Sequence, residues 1–83
     1  MPYRAEIINI GEEERNGAFI LTLFGQIRNN FKVLYTKTDT CEITQATLDS
    51  TFDNKAAFIE YSTIALRDNL EAMINKLQHL DSQ

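Results

Sequence analysis

The hydrophobic pattern is most informative between residues 18 and 24, where the chain reads Ala-Phe-Ile-Leu-Thr-Leu-Phe. Alternate side chains of a β-strand point to opposite sides, so this run would be apolar on both faces. One face would carry Phe19, Leu21 and Leu23, and the other Ala18, Ile20 and Phe24. Such a strand needs cover on both sides. A chain of 83 residues has little material for two covers, so the pattern predicts self-association or a protein partner.

The flanking sequence predicts two more strands. Residues 3–10 include three isoleucines and form the first strand, and residues 31–36 form the third. Residues 11–17 are a polar connection that ends in Asn16-Gly17, the favoured dipeptide of a two-residue hairpin turn. Asn29-Asn30 offers a second tight turn. The result is a three-stranded antiparallel meander, in which Phe31, Val33 and Tyr35 share one face of the third strand and Lys32 and Thr36 the other.

Residues 36–51 have the least regular pattern. Residues 37–40 read as a loop, and residues 41–48 as an irregular segment with one helical turn. A fourth strand over residues 41–48 is the alternative. The sheet is therefore predicted to have three strands, or four if that alternative holds.

The C-terminal part predicts a long helix over residues 52–80. Leu66, Leu70, Met73, Leu77 and Leu80 follow a four-three-four-three spacing, which places them on one stripe of a helix. Ser50 and Asp53 resemble a capping box before it. The first half of this helix is apolar almost all round, which leaves a rival division open, in which residues 58–62 form a last strand before a shorter helix. The fold class is α+β: an antiparallel meander followed by a C-terminal helix or helix pair, in one domain over residues 1–83.

Composition narrows the classes of function. The net charge is −4, so broad binding to a phosphate backbone, and with it nucleic acid, is not expected. Cys41 is the only cysteine and His79 the only histidine, so we expect no disulfide within the chain, no metal and no cofactor. Nothing in the pattern joins Cys41 to His79 as a nucleophilic pair. The chain has a single thiol, its first residues lack the pattern of a signal peptide, and its apolar runs are too short to span a bilayer. These features predict a cytoplasmic protein.

The first residues offer one candidate for catalysis. Removal of Met1 would expose Pro2 as a secondary amine, able to act as a base or nucleophile. The chain resembles the tautomerase superfamily in three features: the Met1-Pro2 start, its size and an opening strand. The small oligomeric subunits of that family use such a proline. The resemblance covers about a tenth of the chain. It departs after the first strand, where that family has a helix and this chain has Asn16-Gly17 and an apolar strand. A tautomerase-like or small-molecule-binding oligomer is therefore the alternative function.

No catalytic set stands out, so the main expectation is a non-catalytic interaction module, a small acidic regulator or inhibitor that binds a partner protein as a homodimer. Two sets of residues are the candidates for its surfaces. The predicted partner-binding surface comprises Phe31, Lys32 and Tyr35, with Glu12, Glu13 and Glu14 beside them. The predicted dimer interface comprises Leu66, Leu70, Met73 and Leu77. Packing of this stripe into the chain's own core is the default interpretation, and a seam shared with a second subunit comes next.

Overall fold

The computed structural model describes residues 2–81 and shows one three-stranded antiparallel sheet with one long helix across it, which confirms the predicted α+β fold. The strands lie in the order β1-β2-β3. The elements are β1 (Tyr3–Arg15), β2 (Ala18–Asn29), β3 (Lys32–Thr44), α1 (Gln45–Thr51) and α2 (Lys55–Asp81). The molecule is long and thin, with extents of 49 × 20 × 15 Å, because sheet and helix form only two layers.

The first hairpin turn is the one that the sequence predicts. Asn16 and Gly17 occupy the two turn positions, with φ angles of 52° and 76°. Two left-handed residues match the twist of a two-residue hairpin, and Asn and Gly adopt that conformation at low cost. The turn pairs Arg15 with Ala18 and sets the register of the β1–β2 ladder.

All three strands are longer than predicted. Residues 11–15 are not a polar connection, because they continue β1 and pair with β2 up to the turn. Residues 37–40 are not a loop, because they lie within β3 and pair with residues 22–25. Residues 41–44 end β3 and residues 45–51 form α1, so the predicted helical turn is present as the start of α1, whereas the irregular segment and the fourth strand are wrong. Charged and polar residues that alternate along a strand can face solvent, and so do not end it.

The second turn and the start of the third strand are each shifted by one residue from the prediction. The turn consists of Asn30, at φ 58°, and Phe31, because Asn29 still pairs with Lys32. A bulge at Leu34 then shifts the register. Tyr35 lies opposite Ile27, whereas Val33 lies opposite Arg28. The extra residue therefore places Val33 and Tyr35 on opposite faces, not on the shared face that strict alternation predicts.

Each helix begins at a side-chain cap. The Thr44 hydroxyl oxygen accepts the N–H of Thr47 at 3.2 Å and caps α1. The Asn54 Oδ1 atom accepts the N–H of Ala57 at 2.9 Å and caps α2. The predicted capping box at Ser50 and Asp53 is wrong, because Ser50 lies inside α1. The rival strand over residues 58–62 is also wrong, because α2 is one helix of 27 residues and about 40 Å.

The core lies between β2 and the two helices. Its buried apolar side chains come from one face of β2 and from α1 and α2. They are Phe19, Leu21, Leu23, Ile27, Leu48, Phe58, Leu66, Leu70 and Ile74. The buried residues of α2 recur every fourth position from residue 58 to residue 74, with Ser62 completing the series. Because four residues rotate about 40° beyond one full helical turn, the line of buried side chains winds gradually around the helix axis. A straight helix can therefore follow a twisted sheet.

Gly25 allows α2 to approach β2 closely. A Cβ atom at this position would lie 2.9 Å from Leu70 Cδ1 and 3.2 Å from Leu66 Cδ2. The two leucines therefore occupy the space that a side chain would take. Gly25 looks like the end of a strand in the sequence, but it is an internal strand residue that accommodates the helix.

Loss of a leucine at this approach should destabilise the protein strongly. We expect Leu70→Ala to lower the free energy of unfolding by about 2–5 kcal/mol, because it leaves a cavity between α2 and β2. Leu80→Ala in the same helix is the matched control, since Leu80 is 65% exposed, and should change it by less than about 0.5 kcal/mol. Urea denaturation followed by circular dichroism measures both. Equal effects would contradict this description of the core.

Candidate interaction surface

The sheet has one face that no element of residues 2–81 covers, and we call it the open face. Both helices pack on the opposite face, where Phe19, Leu21, Leu23 and Ile27 are buried. Directly paired residues of neighbouring strands point to the same side, so the ladder registers define the members of the open face. From β2 they are Ala18, Ile20, Thr22, Phe24, Gln26 and Arg28; from β1, Arg4, Glu6, Asn9, Gly11, Glu13 and Arg15; and from β3, Val33, Thr36, Thr38, Thr40, Glu42 and Thr44.

The centre of the open face is uncharged and partly apolar. Ile20, Thr22 and Phe24 lie along β2 and are half-buried by their neighbours within the sheet. The threonines of β3 line one side of this centre. A shallow depression of about 530 Å³ lies over the end nearest the first hairpin. Its lining comprises Glu13, Arg15, Asn16, Ala18, Ile20, Thr22, Thr40 and Glu42.

Charged networks lie at both ends of this centre. Near the second turn, the Gln26 side-chain amide donates to Glu6 Oε1 at 2.8 Å, and Arg28 Nη2 donates to Glu6 Oε2 at 2.9 Å. The hydrogen bond from Gln26, with the charges of Arg28 and Arg4, holds the pKa of Glu6 below its ordinary value, against a smaller opposing effect of desolvation. The Nε atom of Arg28 is buried and has no partner within residues 2–81.

The other end, near the first hairpin, has its own ion pair. Arg15 Nη2 contacts both carboxylate oxygens of Glu13, at 2.8 and 2.6 Å. The hydrogen bond and charge of Glu13 raise the pKa of Arg15, so this guanidinium stays charged. On the helix side, Glu14 forms an ion pair with Lys55, whose Nζ atom lies 5.3 Å from the centre of the Phe19 ring.

The structure separates the two parts of the predicted partner-binding surface. Phe31, which is fully exposed, and Lys32 lie at the second turn, and Tyr35 lies on the helix side of β3. Glu12, Glu13 and Glu14 lie at the other end of β1, about nine strand residues or 30 Å away. The alternation of β1 also places Glu13 on the open face and Glu12 and Glu14 on the helix side. These six residues do not form one surface.

The residues of the predicted dimer interface lie in the chain's own core. Leu66 and Leu70 are completely buried against β2. Met73 and Leu77 are half-buried and pack against the same core. Leu66 and Leu70 therefore pack into the chain's own core and are not exposed to a second subunit.

The three other residues considered for chemistry belong to different parts of the chain: Pro2 precedes β1, Cys41 lies in β3 and His79 lies in α2. Pro2 is exposed and borders a depression of about 260 Å³, together with Arg4, Arg28, Asn30 and Phe31. Met1 lies outside the described residues, and the element after β1 is a strand. Cys41 is half-buried opposite Leu21, towards the end where α2 begins, whereas His79 lies in the last turn of α2. The structure does not bring Cys41 and His79 together.

Comparison of the chain with family models, curated proteins and solved structures finds no match. Neither helix of residues 2–81 has both the length and the hydropathy that a membrane span requires. In the same residues, no group of three or more His, Cys, Asp and Glu side chains is placed to hold a metal ion.

The sequence pattern identified the centre of the open face but not its threonine side. The two-sided apolar run predicts that Ile20 and Phe24 point to the opposite side from Phe19, Leu21 and Leu23, without saying which side faces the core. The threonine row was missed because residues 37–40 were assigned to a loop. The signal was present, since threonines at positions 36, 38 and 40 recur with the two-residue period of a strand and have high β propensity.

The Glu6 network gives a testable titration. A lowered pKa means that the folded state favours the carboxylate, so the network stabilises the fold at neutral pH and its contribution is lost as the pH falls through that pKa. We expect Gln26→Leu to raise the pKa of Glu6 towards its ordinary value, because the largest cause of the shift is removed. Carboxyl carbon NMR measures this titration. Gln45→Leu is the matched control, since the Gln45 side-chain amide donates to Asp49 in α1 and not to Glu6. An unchanged Glu6 pKa in Gln26→Leu would contradict the assignment.

Proposed function

We propose that this protein is a non-catalytic protein-interaction module, a small acidic regulator or inhibitor that acts by binding a partner protein through the open face. The observation that carries the proposal is the one-sided packing of β2. Its helix-side residues are buried in the core, whereas Ile20 and Phe24 are half-buried and lie on the opposite face of the sheet. Covering these two side chains would remove further apolar surface from water, which favours association.

The layout of the open face suits a protein partner. Interfaces commonly have an uncharged centre and a polar, charged rim. Here Ile20, Thr22 and Phe24 lie at the centre, and the charged residues lie towards the ends and edges of the sheet. The open face carries Arg4, Arg15 and Arg28 against Glu6, Glu13 and Glu42, three charges of each sign. A balanced set of charges favours a partner that matches individual positions, and it disfavours a uniformly charged polymer such as a nucleic acid.

The size of the open face is also sufficient. Three strands spaced about 4.8 Å apart, each about 12 residues or 40 Å long, present a flat area of roughly 600 Å². Covering it would bury roughly 1,200 Å² over both partners, which lies at the lower end of specific protein–protein interfaces. This area supports a transient regulatory contact.

We further propose that the working form is a homodimer. A chain of this size buries a small core, and association is one of the usual supports at this length. Light scattering at tens of micromolar should give twice the chain mass of 9.5 kDa. A value of one chain mass at that concentration would contradict the homodimer and leave binding through the open face to its own test.

Partner binding is tested by capture with matched variants. The tagged protein, Ile20→Lys and Ile64→Lys are each expressed in the native host and recovered with their bound proteins. Ile64 is 49% exposed on the outer side of α2, so it receives the same substitution away from the open face. We expect the same protein to be recovered with the unchanged chain and with Ile64→Lys. Its recovery with Ile20→Lys should fall by at least about tenfold, because the lysine charge would be buried at the interface.

The controls decide between a specific surface and general adhesion. Circular dichroism must show the same helical content in all three proteins, so that loss of binding is not loss of folding. Equal recovery with Ile20→Lys, or no recovered protein with the unchanged chain, would contradict binding through the open face.

A further inference from the structure

The outer edge of β3 is the second uncovered β surface of the molecule. Within residues 2–81 the sheet order leaves β1 and β3 as edge strands, so alternate N–H and C=O groups of each strand point outwards without a strand partner. On β3 the bulge at Leu34 ends the regular edge on one side, and α1 begins after Thr44 on the other. Residues 35–44 between them form an uninterrupted edge.

The sequence of this edge is complementary to itself. In an antiparallel pair related by a two-fold axis at Thr38, Thr38 lies opposite Thr38 of the second copy. Lys37 then lies opposite Asp39, and Thr36 opposite Thr40, in both directions. Threonine pairs and opposite charges directly across a ladder are both stabilising. Tyr35 lies opposite Cys41 at each end, so the ladder ends where the Leu34 bulge begins.

Other registers lose this match. Both copies must keep their helices on the same side of a continuous sheet, so the register can move only in steps that preserve the face of each residue. The next steps place Lys37 opposite Lys37 or Asp39 opposite Asp39, and like charges directly opposite are destabilising. The steps beyond those leave both charges opposite uncharged residues. Only the register centred on Thr38 pairs both charges.

Lys37 and Asp39 are available for this contact. Neither residue has an ion pair or a side-chain hydrogen bond within the described part of the chain. Their side chains lie on the helix side and are half-buried, opposite Gly25 and Leu23 respectively. Inward-pointing charges of this kind normally block an edge. Here they would block most partners and match a second copy of the same chain.

The edge of β1 lacks these properties. A bulge at Ile8 interrupts it near the middle, and Glu12, Glu13 and Glu14 follow in the same strand. Pairing this edge with itself over that segment would bring together carboxylates of like charge. The two edges therefore differ, and only that of β3 favours self-pairing.

We propose that two copies of the chain pair through the edges of β3, with Thr38 on the two-fold axis, to form one continuous six-stranded sheet. The proposal rests on the homodimer of the proposed function and assigns its interface. The open faces of both copies then lie side by side on one surface of the sheet and remain available to a partner.

Cysteine cross-linking tests the register. In a Cys41→Ser background, Thr38→Cys should form a disulfide-linked dimer on mild oxidation, because directly opposite Cα atoms in an antiparallel pair are about 4.5–5.5 Å apart. Thr36→Cys and Thr40→Cys are the matched controls. Each alone should remain uncross-linked, because equivalent positions in the two copies are about four residues or 13 Å apart along the strand. A mixture of the two controls should form a mixed disulfide.

Charge reversal gives a second, reversible test. We expect Lys37→Glu to raise the dissociation constant of the dimer by at least about tenfold, because two attractive pairs become repulsive. Adding Asp39→Lys should return it to within about threefold of the original value. Analytical ultracentrifugation measures these constants, with circular dichroism as the check on folding.

The outcomes separate this proposal from the proposed function. A dimer by light scattering that cross-links through Thr36→Cys or Thr40→Cys alone, or through none of these positions, would overturn the edge pairing and leave the homodimer intact. A chain that stays monomeric at tens of micromolar would overturn both. Cross-linking at Thr38, with cross-linking of the mixed controls, supports the register.

Discussion

The close approach of α2 to β2 at Gly25 is the contact on which the rest of the structure depends. Leu66 and Leu70 fill the space above this glycine, and the other buried residues of α2 continue the line in both directions. Because this contact commits the long helix to one side of the sheet, the central strand gains cover on that side only. The second apolar face of β2 then stays at the surface.

The functional proposal follows from this one-sided arrangement. Within residues 2–81 the molecule has two layers, and two of its uncovered β surfaces carry the proposals: the open face and the edge of β3. They differ in chemistry, because the open face has an apolar centre with charges around it, whereas the β3 edge offers backbone groups and a self-complementary row of side chains. We therefore propose that the open face binds the partner protein and that the edge of β3 binds a second copy of the chain. The assignments are compatible, since pairing at the edge leaves the open face uncovered.

Local sequence signals predicted the elements better than their ends. Asn16-Gly17 gave the hairpin and the apolar run gave β2, because turn dihedrals and two-residue alternation are local properties. A strand end is not predictable from local sequence where a tertiary contact determines whether the strand continues. Gly25 is an example, because β2 continues through it only where α2 packs above it. The leucine stripe was recognised as a stripe, but sequence alone left open whether Leu66 and Leu70 face the chain's own sheet or another molecule. Burial in the core assigns both to the sheet.

The central claim is that Ile20 remains accessible when the chain is alone, and solvent paramagnetic relaxation of isoleucine methyl groups measures this most directly. With a soluble paramagnetic probe and dilute protein, we expect the Ile20 methyl signals to relax much faster than those of Ile27, which is completely buried on the other face. Ile64, which is exposed on α2, sets the upper limit. Relaxation of Ile20 as slow as that of Ile27 in the isolated chain would contradict the account, because the chain itself would then cover both faces of β2.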